Sequence, residues 1–90
     1  MLKGKTAVVT GGTRGIGFAV VKKFLENGAA VALWGSRQET VEEALEKLRA
    51  ENPDWNVIGM SPDLGSLQEV EAAMKQVKEQ FGRLDILVNN

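Results

Sequence analysis

The 90-residue chain predicts an α/β fold: a doubly wound parallel sheet in the order β-α-β-α-β-α-β, with crossover helices on its faces. Three observations carry this expectation. Short apolar runs of strand length alternate strictly with longer stretches of helical periodicity. The second run, Ala30–Trp34, is apolar at every position, as suits a central strand covered on both faces. Finally, the links are short, and no repeat, linker or low-complexity segment interrupts the alternation.

Thr6–Thr10 is a β-branched run ending in glycines and reads as the first strand. From Ile16 to Asn27 the apolar residues Ile16, Ala19, Val20 and Phe24 fall at helical spacing, and Phe18, Val21 and Leu25 widen the stripe. Gly28 follows as the glycine that ends this helix. After the second strand, Ser36-Arg37-Gln38-Glu39 fits a capping box, with Val41, Ala44, Leu45 and Leu48 as the inner face of the next helix and Pro53 as its stop. Val57–Met60 is the third strand. Ser66-Leu67-Gln68-Glu69 is a second capping box, opening a helix whose stripe runs Leu67, Val70, Met74, Val77 and Phe81 and whose C-cap is Gly82. Ile86–Val88 is the fourth strand.

Composition excludes several kinds of chemistry. There are 11 Lys+Arg against 12 Asp+Glu, a net charge of −1, which leaves no clustered basic excess for nucleic acid or anionic membrane. The chain has no Cys, His or Tyr, so disulfides, a thiolate or histidine metal site and a Ser-His-Asp triad are out of reach of these residues; no metal site is expected. No apolar run approaches the ~20 residues of a membrane span. Met1-Leu2-Lys3-Gly4-Lys5 lacks the apolar core of a signal peptide, and the expected compartment is the cytoplasm.

The segment that carries function is Thr10-Gly11-Gly12-Thr13-Arg14-Gly15-Ile16-Gly17, between the first strand and the first helix. A turn there sets free helix amides, backed by the helix dipole, at the end of the sheet, where they can bind a pyrophosphate. Gly11 allows the tight turn, Gly15 lets backbone approach phosphate, and Gly17 lets the helix pack closely. The P-loop alternative fails because no Gly-Lys-Ser/Thr tripeptide occurs. A methyltransferase-type turn would usually carry acids at the ends of the first two strands, where Thr10 and Gly35 stand.

Thr-Gly-x-x-x-Gly-x-Gly at residues 10–17 resembles the cofactor motif of the short-chain dehydrogenase/reductase family. Asp63-Leu64 is similar to the family's adenine-contacting acidic segment. Gly82-Arg83-Leu84-Asp85-Ile86-Leu87-Val88-Asn89-Asn90 resembles its fourth-strand segment, which normally continues as Asn-Asn-Ala-Gly, and Leu2-Lys3-Gly4-Lys5 is a typical opening. The resemblance covers the whole chain. It implies a Rossmann-type sheet of strand order 3-2-1-4 and the work of an oxidoreductase, a carbonyl and a secondary alcohol interconverted by hydride transfer. A 3-oxoacyl-carrier-protein reductase-like or hydroxysteroid dehydrogenase-like member fits the wording of the glycine turn. The family's catalytic Ser and Tyr-x-x-x-Lys lie downstream of the Asn-Asn segment and have no counterpart here. Residues 1–90 are therefore expected to be the amino-terminal dinucleotide-binding portion of one Rossmann domain, with the carboxy-terminal half absent, no catalytic residue of its own and no turnover alone. A truncated, non-catalytic dinucleotide-binding module is the alternative.

NADP is expected over NAD, because the position at the end of the second strand where an acid would bond the NAD ribose falls on Gly35. Ser36 and Arg37 follow it, and Arg14 lies in the glycine turn; two guanidiniums and a hydroxyl suit a phosphate. The expected cofactor contacts are Gly11, Thr13, Arg14, Gly15, Ile16, Gly17, Ser36, Arg37, Asp63, Leu64, Asn89 and Asn90. Plainer roles stand beside these: Ser36 as an N-cap, Arg37 as a solvated side chain, Arg14 as cover for the turn, Asp63 and the two asparagines as turn residues. The expected partners are a small carbonyl or alcohol substrate in the full-length enzyme and further copies of the chain, since the fourth strand offers an open edge; neither nucleic acid nor membrane is expected.

Overall fold

The computed structural model describes residues 2–90; Met1, the first residue of the opening segment, lies outside the described residues. The elements follow the expected order: β1 (Thr6–Thr10), α1 (Gly15–Glu26), β2 (Ala30–Trp34), α2 (Gln38–Glu51), β3 (Val57–Met60), α3 (Leu67–Phe81) and β4 (Ile86–Val88). All pairings are parallel and the strand order is β3-β2-β1-β4. Because strands 1 and 4 are neighbours while strand 2 lies on the other side of strand 1, the C-terminal ends of β1 and β4 form a topological switch point.

Two apolar layers sandwich the sheet. Val9, Val31, Leu33 and Val57 pack against Val21 and Leu25 of α1 and Val41, Ala44, Leu45 and Leu48 of α2. On the opposite face Val8, Ala32 and Trp34 meet Ala73 and Val77 of α3. All five residues of β1 are buried, which is why its sequence carries no polar alternation. The four positions expected on the inner face of α2 are its four buried residues. For α3 the expected stripe is corrected. Leu67 is 73% exposed and Ala73 is buried instead, because α3 meets the sheet through Ala73 and Val77, with Val70, Met74 and Phe81 packed beside them.

Both capping boxes are also corrected. The N-cap of α2 is Arg37, in extended conformation and with no side-chain cap, not Ser36. The Gly35 N–H still donates to the Met60 carbonyl at 3.1 Å, so the strand ladder runs one residue beyond β2 and the chain turns late. Glu39 bonds the Arg37 side chain at 3.2 Å in place of the Ser36 amide. At α3 half of the box forms. Ser66 Oγ accepts from the Glu69 N–H at 3.3 Å, but the Glu69 carboxylate reaches past Ser66 to accept from the Asp63 N–H at 2.9 Å. Gly28 and Gly82 both take positive φ after their helices, as helix-ending glycines do.

β4 is tied to β1 at both ends by side chains. At the N-terminal end the Asp85 carboxylate accepts from the Thr6 N–H at 2.9 Å while the Asp85 N–H donates to the Thr6 carbonyl at 2.9 Å. Arg83 donates to the same carboxylate through Nε at 3.0 Å and Nη2 at 2.6 Å. The guanidinium first, and the Thr6 amide second, hold the Asp85 carboxyl below its ordinary value. A carboxyl whose folded pKa is depressed stabilises the fold fully above the ordinary aspartate range, near pH ~4. That contribution disappears as pH falls through the lowered value. Asp85→Asn is therefore expected to melt at a lower temperature than the parent at pH 7. Melts recorded from pH 7 down to pH 2 should show the gap closing only in the acid limb; a gap independent of pH would remove the charge from this clamp.

Candidate functional site

A cavity of about 770 Å3 opens at the C-terminal edge of the sheet, lined by the glycine turn, the end of β2, the segment after β3 and Asn90. Three loops converge there for one reason. In a parallel sheet every strand delivers its chain to the same edge, so the turns after β1, β2 and β3 become neighbours.

The wall made by the glycine turn is built from backbone. Gly11 and Gly15 have φ of +63° and +61°, the left-handed region that only glycine enters freely. A Cβ on Gly15 would meet nothing within 4 Å, so this residue presents bare backbone to open space. Gly17 is the opposite case. Its Cβ would fall on the Gly11 carbonyl oxygen and lie 2.9 Å from the Asn90 side-chain nitrogen. The turn is therefore folded tightly back on the first turn of α1. That helix has no side-chain cap and no acid in its first turn, which leaves its leading amides as donors for an anion.

The opposite wall is the 61–65 segment. Asp63 Oδ1 accepts from the Gly65 N–H at 2.9 Å, and the Asp63 carbonyl accepts from the Ser66 N–H at 2.9 Å. With Glu69 on its amide, Asp63 is both a turn residue and part of the cavity lining. Between the walls, β2 ends at Trp34 and Gly35. Trp34 is 3% exposed, and its indole Nε1 is, among the described residues, the one buried side-chain polar atom without a hydrogen-bond partner.

Of the expected contacts, Gly11, Thr13, Arg14, Gly15, Ser36, Asp63, Leu64 and Asn90 line the cavity; Ile16, Gly17, Arg37 and Asn89 do not. Ile16 is 78% exposed at the start of α1. Gly17 lies behind the turn. Arg37 faces its own helix, ion-paired to Glu39 at 3.2 Å, because the late helix start makes it the N-cap. Asn89 is tied up structurally: its side-chain oxygen accepts from Thr10 Oγ1 at 3.1 Å.

Thr10, the first residue of the glycine motif, was not among the expected contacts, yet it lines the cavity. Its hydroxyl donates to Asn89 and accepts from the Asn90 N–H at 3.0 Å, and so locks the ends of β1 and β4 at the cavity rim. Asn90 Nδ2 adds a 3.4 Å bond to the Gly11 carbonyl. Buried polarity was the available signal, since Thr10 stands where an apolar strand residue would otherwise be expected. The described residues contain no group of three or more His, Cys, Asp or Glu that could hold a metal ion, and no helix long and apolar enough to cross a membrane.

Comparison with known proteins agrees with this geometry. A family model described as short chain dehydrogenase matches residues 5–90. A 3α-hydroxysteroid dehydrogenase of Mediterraneibacter gnavus is 66% identical over 90 residues, covering 100% of this chain and 36% of the relative. A 3-oxoacyl-[acyl-carrier-protein] reductase of Chlamydia muridarum is 36% identical over 90 residues, again covering 100% of this chain and 36% of the relative. Among solved structures, YwfH, an NADPH-dependent reductase involved in bacilysin biosynthesis, superposes with a TM-score of 0.88 at 28% identity, over 96% of this chain and 36% of that one. The chain thus spans about a third of the length of these relatives.

The Thr10 lock can be tested directly. Thr10→Val keeps the shape but removes the hydroxyl that holds the Asn90 N–H and the Asn89 side chain, both on exposed residues that water can reach. A loss of about 0.5–1.5 kcal/mol in denaturant unfolding is expected, with faster amide exchange at Asn90. Unchanged exchange there would show that the hydroxyl does not hold the rim.

Proposed function

The chain belongs to the short chain dehydrogenase family, and on that premise we propose that residues 1–90 are the dinucleotide-binding portion of one Rossmann domain in an NADP-dependent oxidoreductase that interconverts a carbonyl and a secondary alcohol. The bound nicotinamide supplies or accepts the hydride. The residues of this chain bind and orient the dinucleotide.

The observation that carries the reading is the composition of one corner of the cavity. Arg14 and Ser36 stand beside Gly35 and the uncapped start of α1. Cation, hydroxyl and free amides line the same cavity, whose carboxylate, Asp63, belongs to the opposite wall, a composition that suits a 2′-phosphate at the Gly35 side. In this reading Gly11, Gly15 and the leading amides of Ile16 and Gly17 hold the pyrophosphate, and Thr13, Arg14 and Ser36 take the 2′-phosphate. Asp63 and Leu64 flank the adenine, and Asn89 and Asn90 close the wall toward the nicotinamide. The open space over Gly15 supports the fit, because a Cβ there would stand in the cradle. Arg37 joins only by exchanging Glu39 for the phosphate, so its share is smaller than that of Arg14.

For the substrate we favour a hydroxysteroid and its keto form over an oxoacyl thioester. The support is the 66% identity to the hydroxysteroid enzyme against 36% to the oxoacyl reductase.

Titration calorimetry on the protein carrying this chain tests the cofactor reading, with NADPH expected to bind more tightly than NADH. Arg14→Ala should cost NADPH about 1.5–3 kcal/mol, a charge-assisted bond to phosphate, and leave NADH nearly unchanged. Arg37→Ala should cost less. Equal losses for both cofactors in Arg14→Ala, or tighter NADH binding by the parent, would sink the NADP assignment.

Gly15→Val should remove dinucleotide binding from a protein that remains folded. A left-handed position costs an ordinary residue roughly 1–2 kcal/mol, and the branched side chain would also fill the cradle. Quenching of tryptophan fluorescence on titration, with circular dichroism for the fold, reads both effects; retained affinity would make the turn purely structural.

A further inference from the structure

We propose that Thr13 is a specificity-determining residue: its methyl group fills the space that a side chain at position 35 would need, so β2 is held to a glycine ending and no carboxylate can stand at the ribose. The proposal rests on the dinucleotide reading above and goes beyond it, from the absence of an acid to the neighbour that enforces the absence.

Glycine at position 35 is not a backbone requirement. Its φ lies outside the left-handed region, unlike those of Gly11 and Gly15, so any residue could adopt this conformation. The requirement is steric. A Cβ there would lie 2.5 Å from Thr13 Cγ2 and 2.9 Å from Val41 Cγ2, whereas carbon atoms in contact settle near ~3.5–4.0 Å. The two obstacles differ in kind. Val41 belongs to α2 and is fully buried in the core. Thr13 is half-buried and lines the cavity itself. Being β-branched, it carries heavy atoms on two of its three staggered positions, which limits escape by rotation.

Thr13 therefore has two separable parts. The methyl closes position 35, and the hydroxyl remains as the polar group it brings to the cavity. Thr13→Ser removes the first and keeps the second. The nearest remaining Thr13 atom is then Cβ, 3.7 Å from the added Cβ, an ordinary contact. Thr13→Val does the reverse.

A double-mutant cycle on the protein carrying this chain separates these contributions. Thermal melts without ligand are expected to show Gly35→Ala lowered by several degrees, as overpacking does. Adding Thr13→Ser should recover part of that loss, the 2.9 Å Val41 contact remaining, and adding Thr13→Val should recover none. Dinucleotide titration then reads selectivity. Gly35→Asp alone should gain no NADH binding, while T13S/G35D should shift the NADH-to-NADPH affinity ratio by about tenfold or more toward NADH, since a carboxylate repels the 2′-phosphate. Additive melting losses overturn the proposal, as does equal rescue by serine and valine. Loss of fold in both Gly35→Ala and T13S/G35A assigns the closure to Val41 and overturns it too, and so does a coupled cycle with unchanged selectivity. A parent protein that binds neither dinucleotide refutes the underlying reading instead, a result the ligand-free melts cannot imitate.

Discussion

The contact on which the site depends is the approach of Gly17 to the Gly11 carbonyl and the Asn90 side chain. There is no room for a methyl group between them. This closeness fixes the direction in which α1 leaves the sheet, and hence where its uncapped amides and the positive end of its dipole point. It also brings β4 into the same corner, because Asn90 is one side of the contact. A helix set back by the width of one methyl group would still pack on the sheet through Val21 and Leu25, but its N-terminus would no longer sit against the turn. The tolerance of the site is thus narrower than that of the fold that carries it.

The fold supports this corner asymmetrically. β1 is the buried centre of the sheet, paired on both sides, and its apolar residues are shared between the two layers. β4 pairs with β1 over three residues, Ile86–Val88. Its placement rests on polar links at either end, Asp85 with the Thr6 backbone and the Thr10 hydroxyl with Asn89 and Asn90. Such directional bonds help set the register of a short strand, since hydrophobic burial is roughly proportional to area and sets no register by itself. The same bonds that register β4 also shape the cavity rim, so stability and site geometry are coupled there.

The far wall is held by local hydrogen bonds. The half-formed cap of α3 leaves the Glu69 carboxylate free to hold the Asp63 amide, while the Asp63 side chain holds Gly65. These bonds tie the 61–65 segment to the start of α3. At the β2 end the order comes from packing instead: Gly35 is enclosed by Thr13 and Val41 and is still bonded to the β3 carbonyl of Met60. One side of the cavity is held by hydrogen bonds and the other by van der Waals contact.

Much of this was legible in the residues themselves. Strand and helix boundaries followed from periodicity and from glycine and proline punctuation, because those signals are local and α2 and β1 are buried in the simplest way. The glycine turn and the acid-free end of β2 were readable because backbone freedom and the absence of a carboxylate are properties of residue type. Tertiary structure alone decided the rest. Ser36 became cavity lining and Arg37 an N-cap because the β2–β3 ladder runs through Gly35, a pairing no single segment encodes. Leu67 is exposed because α3 packs on the sheet through Ala73 and Val77. The roles of Thr10, Thr13 and Asn89 depend on atoms up to about eighty residues apart in sequence that meet only when a parallel sheet returns every strand to the same edge.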